Sequence, residues 1–410
     1  MTDSFRTRSD CRICGSTDLV KVLDLGSTPP ANAYLRAEHL DLPEATFPLE
    51  LHFCRVCSLA QLIHVVAPEI LFHDYHYVTG ASTPSVEHFG RYAAETIAPL
   101  VANSTDLVVD IGGNDGVLLE AVRGFARVLN VDPASNLSPL SEARGVPFLG
   151  RFFSERVACE IVLQHGTAAV VTANNVFAHT DMLLDAFNGV RVLIGESGTF
   201  VCEVHWVGDL LERNCFDQIY HEHLCFYSLH AMQWLMQRAG LTLVHVEIVP
   251  TQGQSLRVFA KREGVASKAV TDLLALEITK GVTSEAEFMA FASRVRANRD
   301  AVLSLVRDIK AAGKRIAGYG APAKGNTLLN YYGLGTDDIE YLVDSTTQKQ
   351  GLFSPGMHIP IVDRQMLESQ PVDYALILAW NFRDAILRQE ASIRASGTQF
   401  IVTVPTVEIF

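Results

Sequence analysis

Two passages of this chain each read as a buried strand, a glycine-rich turn and the start of a helix. The first is Val108-Val109-Asp110-Ile111-Gly112-Gly113-Asn114-Asp115-Gly116, and the second is Ile316-Ala317-Gly318-Tyr319-Gly320-Ala321-Pro322-Ala323-Lys324-Gly325-Asn326. A strand that hands over to a helix is followed by a parallel strand, so each passage seeds an α/β sheet. Short apolar runs at 107–111, 128–132 and 168–172 supply strands for the first unit, and 242–249 with 255–261 read as an antiparallel pair closing it. Runs near 339–343, 374–379 and 400–404 do the same for the second.

With 410 residues, 48% apolar and 19% charged, the chain is long enough for several cores and is globular in composition. The pattern divides the chain in three: a loop-rich segment over 1–70, an α/β unit over 71–262 and a second α/β unit over 263–410. The last is led by a long helix. Ser284 and Glu287 form a capping-box pair at its start, Phe288, Phe291, Val295, Val302, Leu305, Val306 and Ile309 mark one face, and Gly313 stops it. A formal charge of −13 argues against coating nucleic acid, which requires a basic face. No apolar run is long enough to span a bilayer, and the first residues lack a hydrophobic signal region, so a cytoplasmic protein is expected, with no membrane partner.

Eight cysteines are present. Four form two pairs, Cys11-Arg-Ile-Cys14 and Cys54-Arg-Val-Cys57, spaced so that each pair of thiolates meets one metal ion. The expected group is a structural Zn2+ with all four positions filled; a redox pair is the alternative. Cys159, Cys202, Cys215 and Cys225 have no such spacing.

The first turn lacks the second glycine of GxGxxG, because Asn114 stands there. With Asp110, Gly112, Asn114 and Gly116 at the turn, Asp132 ending the next strand as a ribose acceptor, and Asn174 ending the third, the order matches a class I methyltransferase holding S-adenosylmethionine more closely than a dehydrogenase. The second turn does satisfy GxGxxA, with Asp344 ending the following strand, so NAD(P) competes there on pattern. Pro322 and Lys324 are unusual inside such a turn, and Lys324 suits a diphosphate.

Between the two units lies Asp217-Gln218-Ile219-Tyr220-His221-Glu222-His223, a phenol, a carboxylate and two imidazoles in four consecutive residues after Ile219. Groups of this kind remove and relay protons near neutral pH, which suggests a methyl transfer preceded by deprotonation. An extended backbone here would place His221 and His223 on one face and Tyr220 and Glu222 on the other. In that case His221 is the member to drop, and a metal held by the two histidines lacks a third ligand.

The paired CxxC motifs, DIGGNDG, TANNVFAH, FDQIYHEH, GYGAPAKGNTLLN and LAWNF occur in this order over essentially the whole chain. In this it resembles the sugar C-methyltransferases that act on dTDP-linked 4-keto-6-deoxysugars in antibiotic biosynthesis, the C-3 methyltransferases in particular. The resemblance implies a zinc-binding N-terminal domain, a central S-adenosylmethionine domain and a C-terminal Rossmann-like domain. The sugar nucleotide would sit between the last two, so that the second turn serves substrate rather than NAD. It implies His223 as general base, with Tyr220, Glu222 and His179 assisting or orienting the sugar. Tyr77 is a candidate for the cofactor and Tyr75 for the substrate. Lys324, Asn326 and Lys349 are candidates for the diphosphate region, Tyr332 for the thymine ring, and Trp380 with Asn381 for the strand-end site. A monomer is expected, since three domains already supply a cleft. Methylation at carbon 5, an NAD(P)-dependent sugar-nucleotide oxidoreductase and a non-enzymatic zinc scaffold remain as alternatives.

Overall fold

The computed structural model of the chain describes residues 4–71, 78–251 and 253–410. Three sheets organise them, beside a two-stranded ladder of Phe5–Thr7 with His64–Val66. The largest has seven strands in the order Thr242–Val249, Ser255–Lys261, Thr199–His205, Val170–Asn174, Leu107–Ile111, Arg127–Val131 and Phe148–Leu149. Ser255–Lys261 is antiparallel to both neighbours, and every other pairing is parallel. Leu107–Ile111 is buried along its length, as its apolar run requires. Strand order reverses beside it, and such a switch point opens a crevice at the carboxyl ends of the strands.

A second sheet repeats the logic with six strands: Ile361–Val362, Leu342–Val343, Ile316–Tyr319, Tyr374–Ile377, Gln399–Val402 and Glu408–Ile409. Only the last pairing is antiparallel. The run expected over 339–343 pairs only at Leu342–Val343, because its outer neighbour Ile361–Val362 is itself two residues long.

The third sheet is antiparallel, with Leu19–Thr28, Phe47–Cys54 and Ala60–Leu62 extended by Cys225–Phe226 from much later in the chain. This fourth strand starts two residues after His223, so the Tyr220–His223 segment is tied to the cysteine-bearing N-terminal region. The amide of Leu62 donates to the Leu224 carbonyl (2.9 Å), and the Leu224 amide donates to the Ala178 carbonyl (2.6 Å).

The long helix Glu285–Ala311 forms as expected, with the Ser284 hydroxyl accepting the Glu287 amide. The reciprocal half of the box is replaced by a bond from Arg294 to the Glu287 carboxylate. Phe288, Phe291, Val295, Val302, Val306 and Ile309 are buried, Leu305 is half-buried, and Phe288 packs on Phe53 of the N-terminal sheet with ring centroids 4.9 Å apart. Gly313 adopts φ +71° just past the end. Among the described residues, no helix is long and apolar enough to cross a membrane.

Candidate active site

Cys11, Cys14, Cys54 and Cys57 bring their sulfurs within 4.8 Å of one another. Tetrahedral zinc with bonds near 2.3 Å sets its sulfurs about 3.8 Å apart. Cys11–Cys57 at 3.4 Å and Cys14–Cys54 at 3.5 Å come close to that spacing. The Gly15 and Ser58 amides turn back to the carbonyls of Cys11 and Cys54, at φ +74° and +60°, forming the two knuckles. Four thiolates fill a zinc ion's coordination and leave no position for catalysis. Leu19 pairs with Cys54 at this end of the sheet, and Thr28 pairs with Phe47 at the other. The ladder between them is about 23 Å long at ~3.3 Å per residue along Phe47–Cys54.

At the first glycine-rich turn, Asn114 takes φ +53°, a left-handed conformation that asparagine tolerates better than most residues. This is why a second glycine is dispensable there. Its amide donates to Asp132 Oδ2 (2.9 Å), and Asp132 Oδ1 accepts the Ala134 amide (2.8 Å). Each carboxylate oxygen keeps a second lone pair for a ligand hydroxyl. Gly112 and Gly116 have φ +65° and +80°. Asp110 lies beneath the turn, accepting the Thr172 hydroxyl at 2.6 Å, and burial pushes its carboxyl up to about 7. Asn174, at the carboxyl end of its strand, buries both side-chain polar atoms without a hydrogen-bond partner among the described residues. An orphaned carboxamide at one strand end, with the Asp132 carboxylate at another and the glycine turn between their strands, fits the polar groups of S-adenosylmethionine. Tyr75 and Tyr77 lie outside the described residues.

A Cβ on Gly113 would stand 2.5 Å from Asn130 Oδ1 and 2.8 Å from Asp110 Oδ2. Asn130 cannot yield freely, because its Nδ2 donates to the Asn114 carbonyl (2.9 Å) and so shapes the turn. Gly113→Ala is therefore expected to weaken S-adenosylmethionine binding about tenfold, roughly the 1–3 kcal/mol of an overpacked site. Titration calorimetry checks this, and an unchanged affinity would show that the turn does not hold the cofactor.

The Tyr220–His223 segment is a tight turn, with the His223 amide donating to the Tyr220 carbonyl at 2.8 Å, so the condition of an extended backbone is not met. Alternating faces therefore do not apply. Tyr220 and His223 stand together, ring centroids 4.0 Å apart. His223 Nδ1 lies 2.8 Å from the Gln218 carbonyl, which can only accept, so Nδ1 carries the proton and Nε2 the lone pair. The Tyr220 hydroxyl, 2.8 Å away, donates to that lone pair. His179 Nδ1 donates to the Glu222 carbonyl (2.8 Å), and its ring lies 5.0 Å from that of His223. His205, not among the candidates named from sequence, adds a third imidazole at 5.7 Å. Its signal is its position at the carboxyl end of Thr199–His205, where α/β sheets bind ligands. Burial, followed by the neighbouring His179 and His205, holds His223 well below the usual imidazole range, and burial takes His179 down to about 4. His221 turns away, donating from Nε2 to the Phe47 carbonyl (3.0 Å), and is an anchor to the N-terminal sheet.

Glu222 is 6% exposed, and burial raises its carboxyl to about 7 while the hydrogen bond from Asn32 pulls it down. Asn32 belongs to the loop Pro29-Pro30-Ala31-Asn32-Ala33-Tyr34, whose sequence signals no more than a proline-rich break. The same loop reaches the second glycine-rich turn. The Tyr34 hydroxyl donates to the Ala321 carbonyl (2.6 Å), and Asn326 Nδ2 donates to the Ala31 carbonyl (2.8 Å). Lys349 also donates to Ala321 (2.8 Å) and lies 5.1 Å over the Tyr34 ring.

Lys324 lies 5.2 Å over Trp380, whose indole N–H donates to Asp217 Oδ2 at 2.6 Å. Burial lowers the Lys324 ammonium, and the Asp217 charge partly restores it. Asp217 thus links the Tyr220–His223 turn three residues on to the segment after Tyr374–Ile377 of the C-terminal sheet. Asn381 is exposed beside Trp380. Tyr332 must be reassigned: it is 1% exposed, its hydroxyl donates to Asn298 Oδ1 (2.7 Å), and it packs on Phe216. It has no face left for a base because its helix, Ala323–Tyr332, turns this residue into the core against Glu285–Ala311.

Residues 11–72 match a zinc binding domain, 86–246 a methyltransferase domain and 250–405 the C-methyltransferase C-terminal domain. The C-methyltransferase NovU of Streptomyces niveus is 37% identical over 409 residues, covering 99% of this chain and 97% of that protein. Among solved structures, an S-adenosylmethionine-dependent methyltransferase of Clostridium acetobutylicum ATCC 824 aligns at 13% identity and TM-score 0.36, over 48% of this chain and 96% of that one. The magnesium protoporphyrin IX methyltransferase of Synechocystis PCC 6803 with bound SAH aligns at 12% identity and TM-score 0.33, over 43% of this chain and 83% of its own. With its three domains matched in order and a named relative aligned nearly end to end, this chain belongs to the S-adenosylmethionine-dependent C-methyltransferases.

Proposed function

We propose that the chain methylates carbon 3 of a dTDP-linked 4-keto-deoxysugar, in deoxysugar and antibiotic biosynthesis, through an enolate formed with His223 as the base. The observation that carries this reading is the Tyr220–His223 pair. Its basic nitrogen is fixed by the Gln218 carbonyl and covered by the Tyr220 hydroxyl. Carbon is a poor nucleophile, but a hydrogen beside a ketone is acidic enough for a positioned base to remove. Tyr220 Oη takes that proton as it passes its own to His223 Nε2. The sugar is left as an enolate, Tyr220 neutral and His223 protonated. Glu222, protonated in part near neutrality, is the donor assigned to the developing oxyanion. S-adenosylmethionine, held at the turn by Asp132 and Asn174, supplies an electrophilic methyl group to such a carbon nucleophile. Lys324 and Lys349 are the cations for the diphosphate, beside the turn that an NAD(P) reading would require, and Trp380 with Asn381 lies at the strand end next to them. The bonds from Tyr34 and Lys349 to the Ala321 carbonyl favour the sugar-nucleotide reading over NAD(P), because they bridge that turn to the N-terminal loop. The chain is proposed to act as a cytoplasmic monomer.

The test is incubation of the full chain with S-adenosylmethionine and a panel of dTDP-4-keto-deoxysugars, with products read by mass spectrometry and NMR. A mass gain of one methylene, with the new methyl on carbon 3, is expected. A methyl on carbon 5 would overturn the regiochemistry, and NAD(H) turnover without methyl transfer would overturn the reading altogether.

A further inference from the structure

Besides the strand Cys225–Phe226 and the His221 bond to Phe47, a side chain from the loop after Leu19–Thr28 reaches the Tyr220–His223 turn. Asn32 Nδ2 donates to Glu222 Oε1 at 2.7 Å. It is held there from both sides, since Asn326 grips the Ala31 carbonyl and Tyr34 grips the Ala321 carbonyl. Among the described residues Asn32 engages one oxygen of the Glu222 carboxyl and leaves the other, Oε2, to itself. An amide nitrogen only donates, and a carbonyl oxygen accepts better than a hydroxyl oxygen, so this bond favours a proton on Oε2 over one on Oε1.

We propose that Asn32 is a positioning residue for methyl transfer: it holds Oε1 of Glu222 so that Oε2, with its proton, is the oxygen offered to the substrate. The N-terminal region then contributes to the chemistry through geometry, while its four cysteines lie at the other end of a ladder about 23 Å long. The proposal rests on the sugar reading only for what Oε2 meets. The titratable groups around Glu222 are Tyr34 on the same loop as Asn32, His179 from the turn after Val170–Asn174, and Tyr220 and His223 on its own turn.

A donor to Oε1 favours the ionised carboxylate, so losing it raises the Glu222 pKa. Full-length protein carrying 13C at the glutamate carboxyl reads this directly, with Glu222→Gln identifying the resonance. Asn32→Leu removes the donor. The nearly isosteric Asn32→Asp keeps the loop's shape and sets a second carboxylate against the first. The carboxyl is expected to titrate at higher pH in both variants, more so in Asn32→Asp. Asn32→Leu should lower kcat at least tenfold with S-adenosylmethionine affinity within twofold, and should add less than twofold once Glu222→Gln is present. An unshifted titration in both variants would overturn the assignment, as would fully additive kinetic losses. A chain that methylates no sugar nucleotide would sink the proposed function, and the carboxyl titration would then decide by itself whether Asn32 holds Glu222.

Discussion

Replacing His223 with asparagine is expected to slow methyl transfer by about 10²–10⁴-fold, the usual worth of a general base, while S-adenosylmethionine affinity stays within about twofold. Asparagine can still donate toward the Gln218 carbonyl, so the turn should persist. What disappears is the lone pair at Nε2 that receives the Tyr220 hydroxyl. If the proton travels through Tyr220, Tyr220→Phe should cost nearly as much, because the phenol is then the atom that meets the sugar. If His223 reached the sugar unaided, Tyr220→Phe would stay within tenfold of the wild type. The pH profile gives an independent reading. A depressed imidazole pKa means the basic form is present above it, so kcat should not fall on the acid side until pH is well below 6.5. Stopped assays at pH 5–8 with single-turnover analysis measure both effects. Turnover of His223→Asn within tenfold of the wild type would end the base assignment.

Removing zinc, by chelation or by Cys57→Ser, is expected to unfold the N-terminal sheet. Structural zinc in small cysteine sites is worth roughly 10–16 kcal/mol of apparent binding free energy, comparable to the stability of a whole domain. Apart from the four ligands, Leu19–Thr28 and Phe47–Cys54 are held by their mutual ladder, by the pairing of Phe47–Cys54 with Ala60–Leu62 and by packing such as Phe53 on Phe288. The consequence should reach the catalytic turn by two routes. Cys225–Phe226 loses Ala60–Leu62 as its partner, and Glu222 loses Asn32. The glycine turn at 112–116 belongs to another sheet and should keep much of its affinity for S-adenosylmethionine. Activity is thus expected to vanish with zinc while cofactor binding survives in part. Zinc content by mass spectrometry, thermal melting and calorimetry on one sample would show it. Full activity in zinc-free protein would contradict a structural metal.

Much of the scaffold was legible in the sequence because it is written locally. Both glycine turns, the closing pair Thr242–Val249 and Ser255–Lys261, and the long helix follow from apolar periodicity and turn chemistry within windows of ten to thirty residues. The four metal cysteines were legible because CxxC spacing is itself a geometric statement. The site was legible as a set of residues and not as an arrangement. Tyr332 looked available on pattern and is sealed in the core, because helix rotation is set by what packs against it. Tyr220 and His223 would have stood on opposite faces of an extended segment and instead form a pair, because the backbone turns there. Asn32 and Tyr34 gave no signal beyond proline-rich punctuation, since their partners Glu222 and Ala321 are roughly two to three hundred residues away.

By itself, then, the sequence determined the parts: two α/β sheets, a four-cysteine metal site, a glycine-rich turn at a strand end and a cluster of titratable side chains. Tertiary structure alone decided which of them meet. Cys225–Phe226 joins the N-terminal sheet, Asp217 reaches Trp380, and Asn32 reaches Glu222. The physical reason is that strand and helix signals arise from hydrogen bonds and packing between near neighbours, which a linear pattern records. A hydrogen bond between distant segments leaves no period to read and exists only once the sheets have packed.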